Sequence, residues 1–413
     1  MSKIIAIMAT LDTKGEEVKY LKEQIERRGK KVFIIDMGLR GVPAAIPTDV
    51  TRDMLAEASG STMAVVEKMV RGEAIEIMVK GIAKVIRDLY DRGKFQGILA
   101  IGGLDGALLA SAGLRALPLG VPKFLLTPIA EGNEKFGPYI GTSDMIMMHS
   151  VVDILGINQI SRKVFDNAVG ALIGMVDMNV VPKLEGRNVI AATMYGNTTP
   201  AVMRAKNILE GKGFEVVIFH PNGTGGRAME ELIEEGLVNA VLDMTPHEIV
   251  DELFHGVHAG GPHRLEAAGK KGIPQVVVTG CLDFILLGPI ANLEEKYKKR
   301  QMYFFNPAVT MVRMTLEERA TVGRVMAEKL NKATGPTRVL IPLKGFCMYC
   351  HPGEPLHDPE GDRMLIETLK KHLKPQIPVL EVDAYINDPE FADTAAAAMI
   401  QLIQSSAVKT RKL

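Results

Sequence analysis

Three loops in this chain carry residue types that can hold an anion or a hydroxyl. The first is Asn222-Gly223-Thr224-Gly225-Gly226-Arg227, which follows the apolar run Phe214–His220 and precedes a helical pattern over 226–235. Glycines let backbone N–H groups come close to a ligand, and the positive end of the following helix points at the same place. Thr224 adds a hydroxyl and Arg227 a fixed positive charge, so a phosphate or a carboxylate would suit the turn. A tight strand-to-helix turn with no ligand is the plainer alternative. The second loop is Thr10-Leu11-Asp12-Thr13-Lys14-Gly15 at a helix start, and the third is Gly102-Gly103-Leu104-Asp105-Gly106 after the run Phe95–Ile101. Asp36, Thr127, the stretch Tyr195-Gly196-Asn197-Thr198-Thr199-Pro200 and the stretch Thr279–Asp283 end other apolar runs in the same way. Thr198 or Thr199 also suits a helix cap ahead of Pro200.

Several chemistries are excluded by spacing. No G-x-x-x-x-G-K-[ST] loop is present, and the first strand is not followed by G-x-G-x-x-G, so a classical dinucleotide dehydrogenase is not expected. No G-x-S-x-G elbow supports a serine hydrolase. Cys347-Met348-Tyr349-Cys350-His351 spells the haem c attachment pattern, but attachment needs export and no export signal is read at the N-terminus. A metal set of Cys347, Cys350, His351 and His357 is an alternative, and a plain thiol pair without metal is the expectation. His247, His255, His258 and His263 lie close in sequence with Asp251 and Glu252 among them. On a helix His247 and Asp251 would share a face. A solvated face is expected there rather than a metal centre, and no residue is assigned as a metal ligand.

The elements that must position these loops alternate between short apolar runs and amphipathic stretches. Runs at 3–9, 31–36, 95–101 and 123–127 read as strands, with helical patterns at 14–28, 61–91, 104–115 and 164–175. The pattern restarts after the Pro/Gly/charged link 181–188. Strands are then expected at 189–194, 214–220, 240–244, 275–279, 338–342 and 379–382, with helices at 200–210, 226–235, 320–331, 364–373 and 391–406. Continuous apolar runs alternating with helices predict buried parallel strands and an α/β class. Two such blocks predict two doubly wound domains, 1–182 and 183–413. The length of 413 residues fits more than one core. Lys+Arg and Asp+Glu are both 49, and there is no basic excess of the kind a nucleic-acid binder carries. Three cysteines fit a reducing compartment, and no run reaches the length of a membrane span. A cytoplasmic location follows as the expectation, with neither nucleic acid nor membrane as partner.

Taken together, "ATLDTKGEE", "FHPNGTGGRAMEELI", "VLDMTPHEIVDEL", "AGGPHRLEAAGKKGIPQVV" and "YINDPEFAD" resemble one family. It is the ATP-binding-domain family typified by the N-terminal inhibitory region of a plant tobamovirus resistance protein, and the resemblance covers nearly the whole chain. It implies two Rossmann-like domains, a homodimer, and ATP in the cleft between the domains. Carried over residue by residue, it implies ligand contacts at Leu11, Asp12, Thr13, Lys14 and Gly15, and at Gly223, Thr224, Gly225, Gly226 and Arg227.

Two loops depart from the family's pattern. Gly102-Gly103-Leu104-Asp105-Gly106-Ala107 stands where the family usually has Gly-Gly-Ser-Gly-Gly-Thr. Leu126-Thr127-Pro128-Ile129-Ala130-Glu131-Gly132 stands where it usually has Ser-Thr-Met-Ala-Ser-Gly. A carboxylate beside a triphosphate is repulsive unless a cation bridges it, so Asp105 and Glu131 are expected to favour a hydroxyl-rich, cationic or metal-bridged ligand.

The expected function is therefore ATP binding, with Mg2+ as an accompanying ion. Gly102, Gly103 and the Gly223–Gly226 turn would meet phosphates, Lys14 or Arg227 would supply counter-charge, and Asp12 or Asp144 would meet ribose or Mg2+. Asp36, Leu104, Gly106, Thr127, Thr198 and Thr199 complete the expected lining. The alternative is a metabolic enzyme acting on a small organic or sugar acid by hydrolase, lyase or ATP-dependent ligase-type chemistry. Arg227 or Arg264 would then clamp a carboxylate, and Glu131, Glu230 or Asp283 would act as acid or base. A non-catalytic interaction protein is the third reading.

Overall fold

The computed structural model describes residues 2–130, 137–178 and 188–410. The chain forms two compact units, Met1–Lys183 and Leu184–Leu413.

The first unit holds five strands: β1 (Ile4–Ala9), β2 (Lys31–Asp36), β3 (Gly97–Ile101), β4 (Lys123–Thr127) and β5 (Ile146–His149). They form one parallel sheet in the order β2-β1-β3-β4-β5. Successive side chains of a strand face opposite sides, and here both sides are covered. Ala6, Met8, Ile98 and Ala100 join the core with Met78, Ile82 and Ile86 of the helix Arg71–Asp91. Ile5, Ile7, Ala9, Leu99 and Ile101 join the opposite core with Val18, Leu21 and Ile25 of the helix Gly15–Arg27. Burial on both faces is why these strands read as unbroken apolar runs.

The second unit holds β6 (Val189–Thr193), β7 (Glu215–Phe219), β8 (Ala240–Asp243), β9 (Gln275–Val278), β10 (Phe284–Leu287), β11 (Met302–Asn306), β12 (Val309–Arg313), β13 (Thr337–Pro342) and β14 (Val379–Val382). Six of them form a parallel sheet in the order β14-β13-β9-β8-β6-β7. Its faces pack against the helices Thr199–Glu210 and Pro389–Thr410 on one side, and Thr224–Glu234, Leu316–Leu330 and Pro359–His372 on the other. The remaining three form a small antiparallel sheet, β10-β12-β11. The α/β class with two mainly parallel sheets is as the periodicity predicts, whereas β5 and the antiparallel trio were not expected. β5 is a short edge strand of partly exposed residues, and β11 exposes Phe304 and Phe305. Neither offers the buried run that marks a central strand, whereas β10 is a fully buried apolar run of only four residues directly after the Thr279–Asp283 stretch.

Both parallel sheets reverse direction of winding next to their first strand. The switch points lie between β1 and β3 in the first unit and between β6 and β8 in the second. Ligands of open α/β sheets bind beyond the carboxyl ends of the strands at such points.

Candidate functional site

The switch point of the first unit opens into a pocket of about 730 Å³. Thr10, Asp12, Thr13 and Lys14 line it from the loop after β1, Leu39 and Arg40 from the loop after β2, and Gly103–Gly106 from the loop after β3. The β1 loop closes on itself. The N–H groups of Thr13 and Lys14 donate to Thr10 O at 3.1 and 2.9 Å, and the Thr10 and Thr13 hydroxyls lie 2.9 Å apart. Asp36 is buried beneath it, and its Oδ1 accepts from Leu11 N at 3.0 Å and Gly38 N at 2.9 Å. Asp36 and Leu11 therefore shape the loop from inside instead of facing the pocket. Asp12 does face it, with Oδ1 buried and without a hydrogen bond. Burial, then the nearby Asp36 carboxylate, raise the Asp12 pKa above the ordinary aspartate value. Lys14 Nζ has no ion-pair partner among the described residues.

Across the pocket, the helix Leu104–Arg115 starts at Gly103 with no side-chain cap. The N–H groups of Leu104, Asp105 and Gly106 have no acceptor among the described residues. Gly102 permits this turn, since a Cβ there would lie 2.6 Å from the Gly106 backbone. Asp105 forms an ion pair with Arg71, which also lines the pocket. The repulsion expected between Asp105 and an anion is thus offset by a guanidinium that the sequence did not reveal as a neighbour. Leu39, Leu104, Leu109 and Ala74 give the pocket an apolar side.

Other residues assigned to this site are placed elsewhere. Asp144 accepts from Lys123 Nζ at 2.5 Å and Gly120 N at 2.8 Å, at the amino ends of β4 and β5. That is the far end of the sheet from the pocket. Thr127 is buried at the end of β4, with its hydroxyl 3.4 Å from Ile129 N. Glu131 lies outside the described residues.

In the second unit the glycine turn already has an anion, and it is internal. Glu248 Oε1 accepts from Gly223 N at 2.6 Å and Gly226 N at 3.0 Å. A Cβ on Gly226 would stand 1.7 Å from Glu248 Oε2, and one on Gly225 would stand 1.9 Å from His220 O. The glycines are required by packing. Thr224 is exposed, and Arg227 Nε bonds back to Gly223 O at 2.9 Å.

Glu248 in turn pairs with Arg264, which is fully buried. The guanidinium meets Glu248 Oε2 at 2.6 Å, Asp243 Oδ2 and Oδ1 at 2.6 and 3.0 Å, and Glu230 Oε1 at 3.2 Å. Burial works against the charge, but Asp243, Glu248 and Glu230 together hold the Arg264 pKa well above its ordinary value. Glu230 also accepts from Leu265 N, Glu266 N and Ala267 N. Arg264 and Glu230, assigned from sequence as substrate clamp and acid/base, have their hydrogen-bonding capacity taken up inside the fold. The same holds for Thr198 and Thr199. Thr198 Oγ1 bonds Thr245 Oγ1 at 2.9 Å and accepts from Tyr195 N at 3.1 Å, while Thr199 Oγ1 donates to Tyr195 O at 3.0 Å.

Beside this network the structure gathers residues that sequence reading left scattered. Tyr195 OH lies 2.8 Å from His258 Nδ1, and its ring lies 5.3 Å from the rings of His220 and His247. Burial lowers the His258 pKa and raises that of Tyr195 well above the usual phenol value. His247 Nε2 lies 3.2 Å from Asp251 Oδ1, and Nδ1 lies 2.7 Å from Cys281 O. The i,i+4 spacing of His247 and Asp251 was the signal for that pair. Burial opposes charge on His247, but Asp251 and the Cys281 carbonyl outweigh it and raise its pKa. His255 and His263 are exposed and stand apart from this group. Asp283 is buried against Cys347 and Cys350, so it cannot reach an open pocket as an acid or base.

Two family models together match most of the chain. The N-terminal domain of an uncharacterised protein family, UPF0261, matches residues 3–181, and its C-terminal domain matches residues 187–403. The chain belongs to the UPF0261 family. A UPF0261 protein of Clostridium tetani is 43% identical over 407 residues, covering 98% of this chain and 100% of the relative. The ToMV resistance protein Tm-1(GCR237) of Solanum lycopersicum is 36% identical over 346 residues, covering 82% of this chain and 45% of that protein. The resemblance read from the motifs is therefore shown at the level of UPF0261. Among solved structures, a putative UDP-N-acetylglucosamine 2-epimerase from Listeria monocytogenes aligns at 10% identity and a TM-score of 0.24, over 67% of this chain and 79% of that one. That likeness is too slight to carry a functional argument. No helix of the described residues is long and apolar enough to cross a membrane.

Proposed function

We propose that this UPF0261 protein binds ATP, and that the switch-point pocket of the first unit is where the nucleotide sits. The observation that carries the reading is the pairing of three acceptor-free N–H groups at Leu104–Gly106 with Lys14, Arg40 and Arg71 around one pocket. Uncapped helix amides and lysine or arginine side chains are what phosphate oxygens need. Leu39, Leu104 and Leu109 supply an apolar side against which a base can rest. Asp12 lines the same space, and its carboxylate suits a ribose hydroxyl or a Mg2+ ion brought with the phosphates. The Gly223–Gly226 turn has no part in this reading, because Glu248 takes its amides. A homodimer in the cytoplasm is part of the proposal, and three unpaired buried cysteines fit a reducing compartment.

The test is calorimetric titration of the full chain with ATPγS and Mg2+ at moderate salt. Binding should weaken about tenfold or more in Lys14→Ala, since loss of one charge-assisted contact is about 1.5–3 kcal/mol, and in Leu104→Asp, which sets a carboxylate against the phosphates. Absence of heat with a folded wild-type sample would overturn the proposal.

One observation favours a second reading, acid/base chemistry in the second unit. The Tyr195–His258 pair joins a proton donor to a histidine whose burial keeps it neutral, at a switch point. Loss of turnover of a small organic acid in His258→Gln, with ATP binding retained, would separate the two readings.

A further inference from the structure

Three donor groups from two loops converge in the second unit, away from every residue used above for ATP. Asp283 follows β9, and Cys347 and Cys350 follow β13. Asp283 Oδ2 lies 3.1 Å from Cys347 Sγ and 2.8 Å from Cys350 Sγ, and the sulfurs lie 2.9 Å apart. All three residues are no more than 1% exposed. Asp283 Oδ1 is buried and has no hydrogen-bond partner among the described residues. Phe284, Leu286, Met311 and Leu356 pack in the same cluster, and the buried Asp362 carboxylate is close enough to act on Cys350 and Asp283. One backbone hydrogen bond links the loops. Cys281 N donates to Phe346 O at 2.9 Å, and Cys281 itself is held at a φ of 56°, a strained value for a side-chain-bearing residue.

We propose that Cys347, Cys350 and Asp283 bind one soft divalent metal ion, with Zn2+ the ion their chemistry fits best. A carboxylate buried in an apolar cluster with one orphaned oxygen is costly as it stands. A cation bound by all three groups removes that cost. Two sulfur donors select zinc over Mg2+ or Ca2+, which take oxygen ligands. On binding, each thiol gives up its proton to solvent and its sulfur becomes a thiolate ligand.

A disulfide between the two cysteines is the competing outcome. It would remove both S–H donors and leave the Asp283 carboxylate buried without either of them. His351 and His357 are not among the donors. The His351 ring packs on Tyr385 at 3.9 Å, and His357 Nδ1 lies 2.8 Å from the Cys350 carbonyl oxygen. Among the described residues the set within 4.8 Å of one another is the trio alone. Zinc takes four ligands, so the fourth position falls to a small ligand such as water.

The experiment is Co2+ titration of the metal-stripped, reduced full chain, followed by Zn2+ competition. One Co2+ per chain should bind with a sulfur-to-cobalt charge-transfer band in the near ultraviolet, and Zn2+ should bleach it. Cys347→Ser and Cys350→Ser should each diminish the band. Asp283→Asn should weaken binding by about tenfold or more, and Cys281→Ser should leave it. Because the band is read on the wild-type chain, variants that fold poorly do not decide the outcome. A folded wild-type chain with no charge-transfer band overturns the proposal. So does a thiol count of one in the unreduced, denatured chain, which would place Cys347 and Cys350 in a disulfide.

Discussion

Replacing Glu248 tests whether the glycine turn serves the fold or a ligand. In Glu248→Gln the side-chain carbonyl can still accept from Gly223 N and Gly226 N, which now bond Oε1 at 2.6 and 3.0 Å. The bond from Arg264 Nε at 2.6 Å is lost, because an amide NH2 faces it in place of an oxygen. A charge-assisted bond of this kind is about 1.5–3 kcal/mol. Asp243 and Glu230 still neutralise Arg264, so the cost stays below the roughly 3–5 kcal/mol of stranding a buried charge. For a unit of this size each kcal/mol moves the melting temperature by about 2–4 °C. The expected loss is therefore about 3–12 °C, confined to the calorimetric transition of the second unit. Glu248→Ala should cost more, since it also orphans both glycine amides. An unchanged melting temperature in Glu248→Gln would refute the reasoning. Equal losses in Gln and Ala would show that the amides are not held by this side chain.

Gly225→Ala should destabilise the second unit by about 1–3 kcal/mol or more without altering nucleotide affinity, because its Cβ would stand 1.9 Å from His220 O; calorimetry and ATPγS titration of the same sample check both halves. Asp105→Asn should tighten ATPγS binding severalfold, since it releases Arg71 from its ion pair; weaker binding would mean that Asp105 is itself a ligand. The pH dependence follows from Asp12, whose folded pKa is raised by burial and by Asp36. As pH falls from neutral through that raised value, Asp12 loses its charge while the phosphates still carry theirs, so Mg2+-free ATPγS affinity should rise. Asp12→Asn should flatten that rise. The same shift makes Asp12 a cost to the fold that grows as pH climbs from the unfolded aspartate value through the folded one, where the folded chain binds the extra proton. Asp12→Asn should therefore stabilise the first unit most at neutral pH and least at low pH, as read by thermal unfolding.

The central parallel strands were legible because both of their faces are buried, so stretches such as Ile98–Ile101 and Phe124–Leu126 run apolar without a break. The loops around the first pocket were legible for a related reason. Once strands are placed, everything after their carboxyl ends is a candidate, and Thr10–Lys14 and Gly103–Gly106 fall together there. What escaped depends on partners distant in sequence. Gly223 and Gly226 look like a ligand cradle until Glu248, more than 20 residues on, is seen to fill it. Arg264 reads as a substrate clamp, because nothing local tells that three carboxylates enclose it. Arg71 offsets Asp105 across 34 residues, so the charge of that loop read alone was misleading. The pairing of His247 with Asp251 was legible, the two being one helical turn apart, but the solvated face expected there is not found, since both side chains are fully buried.

Arg264 also constrains how the second unit can assemble. Its three carboxylate partners come from β8 and the helices Thr224–Glu234 and Glu248–Phe254, while the arginine itself arrives on the loop that follows. A partly built unit with that loop undocked would hold Asp243, Glu248 and Glu230 close together with no cation between them. Like charges at that spacing repel strongly out of water, so such a species would be sparsely populated. The loop must dock in the same event that closes the strand and both helices. This favours a single cooperative folding step over a ladder of intermediates, with no early opening of the 255–266 segment for a protease to cut.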